Sequence, residues 1–190
     1  MSTAHSLARQ ALVHGGVVVL LVYLLQLIDA RVTNGAGLYL AAVWAFITGL
    51  ILSHIIHEWC HYFGAVLGRS ALTLKPRVHP LFFDFEFDHN APRQFLFLSF
   101  GGLIGNVILL GILTLPQGPH SLVMISMLSA VAGQLVFVLI LELPVSLGVL
   151  AGRDPLEALT AHFGQGGPLF LRAAVGGVIT AALIFLVYTR

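Results

Sequence analysis

Charge is what this sequence has least of. Only 9% of its 190 residues are Asp, Glu, Lys or Arg, against about 25% in a soluble domain, which is too few to coat a globular surface in water. Water-soluble, disordered and fibrous classes are excluded on that ground. Nine Lys and Arg, scattered and nearly balanced by eight acids, cannot form a nucleic-acid-binding face. Cysteine is nearly missing too. A lone Cys60 excludes an internal disulfide and leaves the redox compartment unread. What is present is apolar: 58% hydrophobic residues and a mean hydropathy of +0.96. The expectation is an integral membrane protein whose solvent is the lipid bilayer, and 190 residues make one compact bundle.

A membrane-spanning helix needs about 20 mostly apolar residues. Charge-free stretches of that order predict five spans, over residues 11–29, 38–67, 94–115, 121–143 and 169–189. The third and fourth come from one uncharged run divided by Leu115-Pro116-Gln117-Gly118-Pro119-His120, where two prolines and a glycine mark a turn. The first span is longer than the apolar core of a signal peptide, and Gln26-Leu27-Ile28-Asp29-Ala30 lacks a small-x-small cleavage site, so it reads as a span. With five spans, Arg9, Arg69, Lys75, Arg77, Arg93, Arg153 and Arg172 fall on one side, against Arg31 and Arg190 on the other. Cytoplasmic loops are the ones rich in Lys and Arg, so the N-terminus is expected in the cytoplasm and the C-terminus outside.

Between the second and third spans the period changes from helical to two. Phe83, Phe85 and Phe87 alternate with Asp84, Glu86 and Asp88, which is strand-like. Leu72, Leu74, Lys75 and Arg77 supply a partner strand, with the turn near Val78-His79-Pro80. The predicted fold is thus all-α and membrane-embedded, with a short membrane-associated β-hairpin. One reading of the hairpin is an amphipathic element at the headgroup level. The other is a sheet edge that takes up an extended peptide, with Phe83 and Phe85 at the binding surface.

His57-Glu58-Trp59-Cys60-His61 carries the chemistry. Four residues of helix turn through about 400°, so His57 and His61 share a face about 6 Å apart along the axis. Two imidazoles so placed can hold one Zn²⁺. Glu58, about 60° around the helix from His61, can take a proton from an activated water without being a ligand. An acidic residue inside a span costs about 2.5–3.5 kcal/mol at the bilayer centre and so calls for a partner. A metal ion would be one. The alternative is a span that ends near His57, leaving these groups at the interface beside Trp59, Tyr62 and Phe63.

His57 to Gly68, His-Glu-Trp-Cys-His-Tyr-Phe-Gly-Ala-Val-Leu-Gly, resembles the zinc motif of site-2 proteases, the intramembrane zinc metalloproteases. Phe100-Gly101-Gly102-Leu103-Ile104-Gly105-Asn106 is similar to the Gly-Pro-x-x-Asn element that opens a later span in that family, with Gly102-Leu103 in place of Gly-Pro. The resemblance extends over roughly residues 49–159. It implies an aspartate as third zinc ligand, in an Asp-Gly pair after a span-breaking proline, for which Asp154, ten residues past Pro144, is the nearest match. Here Pro155 replaces the glycine and Leu141 stands where asparagine is frequent. Glu142 is the second candidate, its other role being a carboxylate at the end of span four. Asp154 before Pro155 also reads as a helix N-cap. The resemblance gives Asn106 a substrate-binding or site-orienting role, an interhelical hydrogen bond being the alternative.

The other polar residues carry weaker signals. His54 shares the face of the two histidines and either lines a water route or is a polar residue of the bundle-facing stripe. Cys60 reads as a packing residue. Gly101, Gly102 and Gly105 have the small-xxx-small spacing that lets helices approach. Taken together, the expected function is zinc-dependent endoproteolysis of a single-span transmembrane protein near the cytoplasmic face, with Glu58 as general base. The alternative is a zinc-bound, non-cleaving protein that binds or escorts transmembrane helices.

Overall fold

A computed structural model describes residues 3–31, 35–115 and 121–189. The turn expected at Pro116 to His120 lies outside them. The protein is an all-α membrane protein. Five of its helices are long and apolar enough to cross a bilayer: α1 (Thr3–Arg31), α2 (Gly35–Leu67), α3 (Pro92–Thr114), α4 (Leu122–Leu150) and α6 (Gly167–Tyr188). The short α5 (Pro155–Phe163) lies between the last two.

The helix starts follow from local chemistry. Pro92 occupies the first turn of α3, where its missing N–H costs nothing, and the Gln94 side chain accepts from the Ala91 N–H at 2.7 Å. Ser121 caps α4, accepting from the Met124 N–H. Large exposed apolar side chains such as Leu12, Tyr39, Ile108 and Val178 coat the outside, which suits lipid rather than water. The α4 helix is the most buried of the five. It packs against α2, α3, α5 and α6, whereas α1 touches mainly α2 and β1.

The hairpin forms where the period-two pattern predicts it. Antiparallel β1 (Leu72–Leu74) and β2 (Phe83–Phe85) pair Leu72 with Phe85, Thr73 with Asp84 and Leu74 with Phe83. The strand is shorter than the alternation, because Phe87–His89 closes into a 3-10 turn. Gln10 of α1 holds the loop between the strands. Its amide donates to the His79 carbonyl at 2.6 Å and accepts from the His79 N–H at 3.2 Å, and Arg9 donates to the Pro76 carbonyl. The start of α1 and the hairpin therefore share one end of the bundle.

Span four differs from expectation. The α4 helix does not end before Pro144 but runs through it to Leu150. A proline inside a helix leaves the carbonyl four residues back without its donor. Here that carbonyl belongs to Ile140, and His162 of α5 approaches it with Nε2 at 3.2 Å. A side chain from α5 thus replaces the missing backbone bond.

Candidate metal centre

Three ligand atoms meet inside the bundle. His57 and His61 project from one face of α2, and Glu142 comes from α4. The two Nε2 atoms are 2.8 Å apart. Glu142 Oε1 lies 2.9 Å from His57 Nε2 and 3.4 Å from His61 Nε2. Ligand atoms held tetrahedrally around one ion at about 2.0–2.1 Å would be about 3.3 Å from each other, so this triangle is close to metal-binding size. Both histidines are buried. The second carboxylate oxygen, Glu142 Oε2, is buried with no hydrogen-bond partner among the described residues. A buried, half-satisfied carboxylate is costly unless a cation or donor neutralises it. The donor set, two imidazoles and a carboxylate, fits a divalent ion, and His57, His61 and Glu142 form a group able to hold one.

Each histidine is oriented from behind. His61 Nδ1 is 2.7 Å from the Leu98 carbonyl of α3. A carbonyl can only accept, so Nδ1 carries the proton and Nε2 presents its lone pair to the centre. His57 Nδ1 faces the Asn106 side-chain amide at 3.4 Å, and the Ser53 hydroxyl donates to Asn106 Oδ1 at 3.2 Å. With the amide nitrogen toward His57, the ring is protonated at Nε2 and donates to Glu142. Rotating the amide by 180° presents Oδ1 to Nδ1–H and frees Nε2 for a cation, and the Ser53 hydroxyl can serve either arrangement. Asn106 and Ser53 are both fully buried. Asn106 therefore sits between His57 and Ser53 at the α2–α3 interface, with no exposed surface.

Close approach of α3 makes this possible. A methyl group at Gly102 would lie 2.5 Å from His61 Nε2 and 2.6 Å from His57 Cε1, so only glycine leaves the rings their place. Gly64 and Gly101 lie on the same interface, backbone against backbone. The role of Gly102 thus exceeds the helix packing its spacing suggested.

Glu58 stands beside the triangle rather than in it. It is buried on α2, its carboxylate 3.9 Å from His54 Nδ1 and near enough to feel the charges of His61, His57 and Glu142. Asp154 is elsewhere. It is exposed, and its Oδ1 accepts from the N–H groups of Leu156 and Glu157, capping α5. The expectation for Asp154 is thus corrected: the cap holds it away from the histidines, and the carboxylate beside them is that of Glu142, carried by α4. Phe83 and Phe85 do not reach the centre. Phe83 packs on Tyr62 and Phe82, and Phe85 on Phe87 and Phe95, so the hairpin offers its backbone edges rather than free rings.

A cavity of about 160 Å³ adjoins the centre, lined by His61 and Glu142 together with Phe95, Leu98, Ser99, Val145, Leu159 and Phe163. It exceeds the roughly 30 Å³ share of one liquid water. Ser99 is engaged by Ser146 at 2.6 Å, which leaves an apolar wall.

Fold and site define a class: a multi-pass membrane protein with a buried, metal-competent His-His-Glu group at the hairpin-bearing half of its bundle. Comparison with family models, curated proteins and solved structures returns no match to this chain.

Proposed function

We propose that this protein is a zinc-dependent intramembrane endopeptidase, as its resemblance to site-2 proteases implies. The observation that carries the reading is the convergence of His57, His61 and Glu142 on one point inside the membrane-embedded bundle, with Glu58 beside it. Two imidazoles and a carboxylate suit zinc. The bound ion would supply Lewis-acid polarisation of a peptide carbonyl and would make a water acidic enough to attack near neutral pH.

The protein's own residues would do the rest. Glu58 takes the proton of the attacking water and passes it to the departing amine. His61, fixed by the Leu98 carbonyl, and His57, once the Asn106 amide is turned so that Oδ1 accepts from its Nδ1–H, would present Nε2 lone pairs to the ion. The apolar cavity beside the centre gives room for a substrate side chain and excludes bulk water. A substrate helix hides its peptide bonds in its own hydrogen bonds and must be unwound locally. Each strand of a two-stranded sheet keeps an outer edge on which an extended segment can pair. A non-cleaving zinc protein would need the three ligands but no buried general base, and Glu58 favours the peptidase.

The test is metal analysis of the purified protein, followed by cleavage of single-span candidate substrates by wild type and by Glu58→Gln. Zinc retained with cleavage reduced at least about 100-fold is the expected result. Equal processing by both proteins rejects the peptidase reading.

A further inference from the structure

On the lipid-facing side of the α2–α3 contact, away from the cavity at the metal centre, runs a second and larger depression. It holds about 570 Å³, and Cys60, Gly64, Phe97, Gly101 and Ile104 are among its walls. Phe63, Leu67, Phe97 and Ile104 remain strongly exposed along it, so it opens to the bilayer rather than into the bundle. Its floor exists because Gly64 and Gly101 have no side chains where the two helices touch.

One charged group borders this apolar groove. Arg93, in the first turn of α3, lines it. The guanidinium lies over the Phe97 ring at 5.6 Å from its centroid and makes no ion pair with any carboxylate among the described residues. Lys75, by contrast, is paired with Asp84 at 3.3 Å. Arg93 is exposed, sits at the hairpin end of the bundle, and is joined there by the exposed Arg69, whose carbonyl accepts from Gln94. An unpaired guanidinium at the mouth of a slot shaped for hydrocarbon matches a molecule with an anionic head and an aliphatic tail. The positive end of the α3 dipole favours the same charge.

We propose that the α2–α3 groove is a binding site for one anionic glycerophospholipid, its phosphate on Arg93 and one acyl chain along Phe97 to Ile104. Charge complementarity selects this occupant over a second copy of the chain or a transmembrane helix, because an apolar helix offers nothing to the guanidinium. The site stands apart from the metal chemistry and does not depend on it. It shares only the helix contact, with Gly101 facing the groove and Gly102 the histidines.

The test uses the full chain in nanodiscs and a phosphatidylglycerol carrying a photoactivatable diazirine on its acyl chain, with the matching phosphatidylcholine as control. Cross-links are mapped by mass spectrometry, and retained lipid is counted by native mass spectrometry. The expected result is cross-linking concentrated on residues 60–67 and 96–104, about tenfold stronger for phosphatidylglycerol than for phosphatidylcholine. Arg93→Gln should abolish that difference and Arg93→Lys should keep part of it, since lysine retains the charge but not the two-pronged guanidinium contact with phosphate. Equal cross-linking by both lipids, cross-links spread around the whole bundle, or undiminished preference in Arg93→Gln overturns the proposal. So does protection of the groove that disappears on dilution, which would mark a second copy there. Unchanged helix content by circular dichroism in the Arg93 variants checks that the bundle is intact.

Discussion

Glu142 and Asp154 show how two carboxylates near one proline acquire opposite roles. Asp154 is exposed, and its Oδ1 accepts from the Leu156 and Glu157 N–H groups at the start of α5. Glu142 is inside the bundle with one oxygen on the histidines and the other without a hydrogen-bond partner among the described residues. The residues therefore separate by experiment. On the proposed function, Glu142→Ala should reduce bound zinc from about one ion per chain to none, because it removes one of three protein ligands. Asp154→Ala should keep the ion and lose only the cap, costing α5 about 1 kcal/mol. Metal analysis of the two purified variants decides, and metal lost from Asp154→Ala but kept by Glu142→Ala would return the ligand to the aspartate.

Among the elements, the α2–α3 pair governs the site. The motif on α2 places two rings on one face, but their direction is set from α3, by the Leu98 carbonyl, by Asn106 and by the space at Gly102. Gly102→Ala is expected to displace the histidine rings by tenths of an ångström or more and to weaken zinc binding at least about tenfold, the scale seen when groups that orient a ligand are lost. Helix content should stay unchanged, because alanine is the better helix former. Zinc titration with circular dichroism checks both, and wild-type affinity in the alanine variant would show that the rings do not depend on this contact. The α4–α5 pair offers a parallel case, in which the Ile140 carbonyl released by Pro144 is met by His162. Nothing in the local sequence of either helix announces that bond, since its partners are 22 residues apart.

For the whole molecule, five spans and the distribution of Lys and Arg make orientation a testable matter. Arg9, Arg69, Lys75, Arg77, Arg93, Arg153 and Arg172, seven of the nine basic residues, fall on one side of a five-span arrangement, and the positive-inside rule predicts that side to be the cytoplasmic one. In a Cys60→Ala background, cysteine at Ser6 should react with a membrane-impermeant maleimide only after the cytoplasmic face is exposed, and cysteine at Thr189 only from the opposite face. Labelling of both from one side would contradict an odd number of spans.

The sequence by itself determined the solvent, the spans, the hairpin and the two histidines, because each depends on composition or on a period of two or 3.6 within one segment. It also narrowed the third ligand to a few acids, since so few exist. Only the tertiary structure brought one of them, Glu142, within reach of the two histidines. Glu142 stands on α4, 85 residues from His57, so its approach to the histidines depends on the packing of α4 against α2. Ser53, Gly102 and the Leu98 carbonyl likewise gained their roles only when α2 and α3 came into contact. Periodicity is a local property of the chain, whereas the convergence of ligands from two helices, and of the groups that orient them from a third, is a property of packing.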